Sequence, residues 1–439
     1  MAASERWGMP LGQGVTVDVD VVVIGAGLAG LGAATALRQQ GRSAIVLEAA
    51  DRIGGRAWTA YPPALGGVWF DMGAIWLHDA ENNPLTPIAR AAGDTLLRSD
   101  VLRTEQTFVG ARLATDAELA DYADAWPRFE AAAERMMLPG MPDVALSAVA
   151  QSLPDDPWAA TVESWEGAVI CAVDASEYSL LDWKRNVLGG SNLVPEGGIG
   201  AFVQRRLGAG LDIRLNTPVT HVRWGGADGQ VSIETDRGVL TARSCIVTVS
   251  TGVLRAGTIA FEPELPALVE DCLHALPMGL ATKVALRAIG PDRLDLPPYC
   301  SVDRQIGRDG DLLVPFQCWP HGRDYVQGWI GGSTAWTLLR EGDAAAVAFA
   351  KDELRRMFGA RVDALFAEAP SLVTQWGNDP LVLGAYSYAA PGHADARVQL
   401  AAPLCDGHLL FAGEACHVGY AGTLAGAWLS GEAAARAVA

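Results

Sequence analysis

The stretch "DVDVVVIGAGLAGLGAATALRQQGRSAIVLEAADRIGGRAWT", residues 18–59, decides the fold. A β-branched run, Val21–Ile24, ends at Gly25. An alanine-rich segment follows, Gly41 stops it, and "SAIVLE" closes on Glu48. That order reads as strand, tight turn, helix and second strand, the unit that binds a dinucleotide. Gly25 permits the turn, Gly27 lets backbone approach a pyrophosphate, and Gly30 lets the helix lie close to the sheet. Leu28 and Ala29 begin a helix whose free N–H groups and partial positive charge suit phosphates. Glu48, with Ala49 beside it, stands 23 residues after Gly25 and can accept from both ribose hydroxyls. An acid there disfavours a 2′-phosphate, and so NADP. A lone G-x-G-x-x-G is often only a loop; its flanks make this one a dinucleotide site.

The continuation "ADRIGGRAWT" separates FAD from NAD. Gly54, Gly55 and Arg56 bring a second glycine turn and a cation beside the pyrophosphate, an extension that NAD-binding units generally lack. It resembles the second motif of FAD-binding oxidoreductases built like glutathione reductase. At the other end, "GHLLFAGEACHVGYAGTLAGAWLSGEAAARAV", residues 407–438, reads as a buried strand, an acidic turn at Gly413-Glu414, a loop, and a helix starting near Thr423 and Leu424. In a fold that binds FAD, this helix N-terminus can place N–H groups at the flavin N1–C2=O edge. The plainer reading of its glycines is close packing in the core.

Length and composition agree with an enzyme of this size. The 439 residues suffice for about three domains of roughly 150 residues, and 50% hydrophobic with 19% charged residues is ordinary for a globular enzyme. A net charge of −18 argues against nucleic acid and is compatible with cationic ligands, or simply with solubility. Residues 1–17 lack a basic start and an apolar core, so they read as a flexible N-terminus and not a signal peptide. The longest apolar run, "VVVIGAGLAGLGAATAL", is short for a membrane span and broken by glycines. The seven cysteines show no C-x-x-C pair, which suggests reduced thiols and a cytoplasmic setting. The seven histidines are dispersed, so no metal site is indicated. A homodimer is compatible with the sequence.

"GLATKVALRA", residues 279–288, sets a lysine inside a strand-like run. Alternation puts Leu280, Thr282, Val284 and Leu286 on one face and Ala281, Lys283, Ala285 and Arg287 on the other. Spacing alone predicts a solvent-facing Lys283, since lysine is rarely buried unpaired.

The chain as a whole resembles the flavin amine oxidase family: monoamine oxidases, polyamine and spermine oxidases, and lysine-specific histone demethylases. The motifs carrying the resemblance are "VVIGAGLAGL…LEAADRIGGRAWT", "DMGAIWLH", "LNTPVTHV", "TKVAL", "TQWGNDPLVLGAYSYAAPG" and "FAGEACHVGYAGTLAGAWLSG", in the family's order from about residue 18 onward. The resemblance implies an α/β fold in which a Rossmann-like FAD domain of the glutathione reductase type (18–80, 192–279 and 399–439) interleaves with an α+β substrate domain (81–191 and 280–398). It implies that Lys283 binds the flavin N5 through a water and that Tyr386 forms one aromatic wall of the amine channel. The second-wall tyrosine of monoamine oxidases is Thr423 here, and Tyr420 is a candidate to compensate. Gly73 and Ala74 fall in a cofactor-binding motif. Val219 falls against the adenine, and Trp376 falls near the flavin or in the core. His78 lies where spermine oxidase-like members keep a substrate histidine, and is equally well read as a satisfied loop histidine. Monoamine oxidases attach FAD through a cysteine at the position of Ala385, so FAD is expected to be non-covalent.

The implied reaction oxidises a primary or secondary amine, with imine hydrolysis to an aldehyde or ketone and hydrogen peroxide made from O2. The rivals are an amine dehydrogenase with another acceptor, an L-amino-acid oxidase, a carotenoid-type desaturase, and a FAD-bound interaction protein without turnover. From the residues themselves, "ADAELADYADAWPRFEAAAERMM" predicts an amphipathic helix. "DIRLNTPVTHVRW" and "VSIETDRGVLTARSCIVTVS" predict a β-meander.

Overall fold

The computed structural model describes residues 17–186, 188–226, 229–307, 311–368 and 370–439; most of the tail read as flexible, residues 1–16, lies outside them. Strand β1 (Val19–Ile24) leads into helix α1 (Leu28–Gln39) and then strand β2 (Ala44–Leu47). The two strands pair in parallel, Val22 opposite Ile45 and Ile24 opposite Leu47. Val21, Val22 and Val23 are all fully buried, as befits an interior strand covered on both faces. At the turn, Gly25 takes φ +100°, and a Cβ on Gly30 would stand 1.9 Å from the Gly25 carbonyl oxygen. The helix is therefore pressed directly onto the turn, the packing role expected of Gly30.

β1 and β2 lie inside an eight-stranded sheet. Its path runs Ala260–Glu262, Val219–Arg223, Val231–Thr235, Gly238–Val247, β1, β2 and Asp212–Arg214, with Leu409–Phe411 pairing alongside Gly238–Val247. The three strands 219–223, 231–235 and 238–247 form the antiparallel meander, which returns parallel to β1 with Ile246 opposite Val23. Asp212–Arg214 corrects the sequence reading. It stays out of the meander and pairs in parallel with β2, because Asn216, at φ 50°, turns the chain before Val219. The C-terminal helix, Leu424–Ala437, packs on α1 so closely that a Cβ on Gly431 would sit 2.0 Å from the Ala29 carbonyl oxygen. Close packing and an N-terminus at Thr423 are thus both features of this one helix.

A seven-stranded sheet runs Ser371–Val373, Ala281–Arg287, Tyr325–Gly331, Phe316–Cys318, Cys300–Arg304, Thr104–Val109 and Arg112–Leu113. Strict alternation divides its faces. Val284, Leu286, Val302, Phe316, Val326 and Ile330 enter a core with Leu354, Met357 and Phe366 from the following helices. The opposite face carries Lys283, Trp329, Gln317 and Ser301. Lys283 is directly opposite Trp329, and Gln317 directly opposite Ser301. The predicted amphipathic helix spans Asp116–Met136, opened by a Thr115/Glu118 capping box. It buries Ala125, Phe129, Ala132 and Ala133 against Trp158 and Val162. Among the described residues, no helix is long and apolar enough to cross a membrane.

Candidate active site

One cavity of about 610 Å³ reaches from the glycine turn of β1 to the Lys283 face of the seven-stranded sheet. At the turn it is lined by Gly25, Gly27, Leu28, Ala29, Glu48 and Ala49, with Gly54, Gly55 and Val219 also on its wall. No side chain caps α1, whose N-cap is Gly27, and a Cβ added to Gly27 would meet nothing within 4 Å. This bare helix N-terminus opening on a cavity fits a pyrophosphate. The Glu48 carboxylate accepts from the backbone N–H of Ala26 at 2.6 Å and of Ala50 at 2.8 Å, so it also fastens the turn. Gly30 is not on the wall; it packs behind it, as described above.

Arg56 lines the cavity, and its Nη1 donates to the Ala385 carbonyl at 2.7 Å and to Glu414 at 3.0 Å. The sequence offered Arg56 as a cation beside the pyrophosphate; the structure also makes it part of a clamp that joins Ala385 and Glu414. A second cation, Arg52, also lines the cavity, its guanidinium 4.7 Å over the Trp58 ring and its Nη1 donating to Gly55 O. Glu414, next to Gly413 on the wall, is 5% exposed. Its two oxygens accept from Arg56, from the N–H and hydroxyl of Ser387, and from Gly422 N–H. The Ser387 hydroxyl in turn accepts from Arg397, which grips Asp182 through Nε at 2.7 Å and Nη2 at 2.8 Å. This buried chain fixes the segment bearing Tyr386, and the sequence reading missed Arg397 and Asp182 because they lie 215 residues apart.

Lys283 is 6% exposed, which overturns the solvent-facing reading of its spacing. Its ammonium donates to the carbonyls of Asp71 (2.7 Å) and Gly73 (2.5 Å), beside Ala74 on the same wall. Burial pushes its pKa down to about 7, with Asp71 pulling upward. Asp71 itself accepts from Thr59 and from Ile199 N–H, and burial raises its carboxyl. Trp376 donates to Met72 O at 2.9 Å and meets Trp58 edge-to-face. It lines the cavity and belongs to the core.

Tyr386 lines the cavity and donates through its hydroxyl to Ile170 O at 2.8 Å. Gly422, at φ +71°, makes room for its ring: a Cβ there would lie 3.2 Å from Tyr386 Cδ2. Thr423 and Leu424 are also on the wall. The Thr423 hydroxyl is engaged, donating to Tyr420 O and accepting from Gly426 N–H as the helix cap. Tyr420 is not on the wall. Its hydroxyl donates to Asp79 at 2.6 Å and its ring leans on His417, which corrects its expected role as a second wall. His78 lines the cavity with Nδ1 2.7 Å from Asn192 Oδ1, and burial lowers its pKa. The wall beyond is aromatic: Trp76, Trp165, Trp329 and Tyr388. Trp329 comes from a strand, Trp165 from the helical turn Trp165–Val169, and Trp76 and Tyr388 from loops, so only tertiary packing brings them together.

A Rossmann-type nucleotide turn joined by one cavity to an aromatic chamber defines a FAD-dependent oxidoreductase that acts on small molecules. The family model for flavin containing amine oxidoreductases matches residues 28–439. The chain is 31% identical over 459 residues to "Probable polyamine oxidase 4" of Arabidopsis thaliana, covering 96% of this chain and 87% of that protein. It is 30% identical over 463 residues to polyamine oxidase 4 of Oryza sativa subsp. japonica, covering 94% and 87%. In structure it is similar to a putrescine oxidase solved with putrescine bound, at TM-score 0.76 and 20% identity over 95% of this chain and 98% of that one. The chain belongs to the flavin-containing amine oxidoreductase family. It is a FAD-dependent amine oxidase.

Proposed function

We propose that the chain oxidises a primary or secondary amine to an imine that hydrolyses to a carbonyl product, passing the electrons to dioxygen as hydrogen peroxide. The observation that carries this reading is the continuity of the cavity, which brings the nucleotide turn, Lys283 and the aromatic walls into one space. Bound FAD supplies the two-electron acceptor for the C–H bond next to nitrogen. The protein supplies the rest. Gly27 and the start of α1 hold the pyrophosphate, Glu48 the ribose, and Val219 the adenine end. Tyr386, fixed by Ile170 and by the Glu414–Ser387–Arg397–Asp182 chain, orients the amine. The indole walls exclude water and favour a neutral amine over an ammonium ion. Lys283, buried and with a pKa of about 7, can give or take a proton at the cavity floor at neutral pH.

Incubation with a panel of amines should give peroxide and aldehyde in equal amounts at the cost of oxygen. Amine-dependent reduction of an artificial acceptor without oxygen uptake would make the protein a dehydrogenase. We also propose that FAD is held non-covalently, because Ala385 offers no nucleophile. Acid precipitation should then leave FAD in the supernatant; flavin that stays with the pellet would contradict it. The two-domain division, a cytoplasmic location, a homodimer and the lack of nucleic-acid binding belong to the same reading. Its supports are the two separate sheets, the scattered cysteines and the net charge of −18. Cell fractionation and light scattering test location and assembly.

A further inference from the structure

We infer that the chamber beyond Lys283 selects amines whose distal part is an uncharged aromatic group, over diamines and polyamines. This deepens the amine oxidase reading and rests on it. Three indoles, Trp76, Trp165 and Trp329, line that part of the cavity. Trp76 and Trp329 lie with ring centroids 6.1 Å apart and planes 30° from parallel. Trp76 donates its N–H to Ser99 and Trp165 donates to Asp303. Both rings thus turn their polar edges to the protein and leave carbon surface for a ligand.

Among the described residues, only three carboxylates line the whole cavity: Glu48, Asp379 and Glu414. Each already accepts a hydrogen bond from the protein. Glu48 is held at the glycine turn by Ala26 and Ala50. Asp379 accepts from Leu381 N–H at 2.9 Å. Glu414 already has four donors. Behind the wall, Asp303 is buried and accepts from Thr107, Tyr122 and Trp165. The polar residues lining the cavity near the indoles are Ser301, His78, whose ring lies 5.7 Å from that of Trp76, Gln317, whose Oε1 accepts from Gln327 at 2.7 Å, and Arg103, which pairs with Glu105 at 2.9 Å.

A second ammonium entering here would lose its hydration without gaining an ion pair. Cation–π attraction from the indoles offsets only part of that loss. An aryl tail meets none of these costs and buries its surface against the indoles.

The test is a comparison of kcat/KM for phenethylamine, putrescine and spermidine on the holoenzyme, together with the Gln317→Glu variant. Phenethylamine should exceed both polyamines by at least about ten-fold. Gln317→Glu, which sets a carboxylate on the chamber face, should shift the putrescine-to-phenethylamine ratio toward putrescine by about ten-fold. If the variant fails to fold, the parent enzyme's ranking decides alone. Higher kcat/KM for putrescine or spermidine in the parent would overturn the inference and leave the amine oxidase reading standing. Oxidation of no amine at all would overturn both, and is distinguished by the absence of any peroxide.

Discussion

Arg397→Ala will cost about 3–5 kcal/mol in denaturant unfolding of the holoprotein, the largest stability loss expected of a single substitution here. Arg397 and Asp182 are 1% and 0% exposed at their side chains. Two parallel hydrogen bonds join them, at 2.7 and 2.8 Å. Removing the guanidinium strands a buried carboxylate whose remaining partner is Ala389 N–H. It also frees the Ser387 hydroxyl and carbonyl, which Arg397 holds at 2.9 and 3.1 Å. Because Ser387 follows Tyr386, turnover should fall along with stability. The double variant Arg397→Met, Asp182→Leu removes both charges and should recover much of the lost stability, since an unpaired charge costs more than a missing pair. A loss below about 1 kcal/mol in Arg397→Ala, the range of exposed ion pairs, would show that the pair is not buried as described.

Lys283→Met should slow the oxygen half-reaction at least about ten-fold, equivalent to about 1.4 kcal/mol of barrier, while FAD stays bound and anaerobic reduction by amine proceeds. On the proposed reading Lys283 sets a positive charge beside the site where oxygen takes its first electron and stabilises the charge developing there; methionine keeps the chain length without the charge. The parent carries that charge below about pH 7 and loses it above, because burial pushes Lys283 down to about 7. Its oxygen half-reaction should therefore slow as pH rises through 7, and the variant's should not. The stability difference has its own sign. Lysine in the unfolded chain titrates near about 10.4. Between pH 7 and 10 the unfolded parent holds a proton that the folded parent has given up. Stability of the parent relative to Lys283→Met therefore rises across that window. A difference that is flat with pH, with unchanged reoxidation, would return Lys283 to solvent.

The residues that could be read in sequence are those whose function depends on local spacing. Gly25, Gly27 and Gly30 are bound to one turn and one helix, so their pattern survives without any tertiary contact. Thr423 marked a helix start because a cap is a local device. Lys283 shows the limit. Alternation assigns it correctly to the face opposite Val284, but only the second sheet's position tells whether that face meets water or a cavity. Tyr420 failed for a related reason: three residues before Thr423, it turns toward Asp79, which is 341 residues away in sequence. The three indoles, Gln317 and the Arg397–Asp182 pair come from strands, helices and, for Trp76, a loop, with no common motif. Their grouping follows from sheet register and helix docking, which no local pattern encodes.

The most direct test is an anaerobic single turnover. Holoprotein mixed with an oxidisable amine in the absence of oxygen should lose its yellow flavin absorbance, and admitting oxygen should restore it with about one hydrogen peroxide per flavin. Flavin that stays oxidised with every amine of the panel, in protein that binds FAD and is folded, would contradict the account.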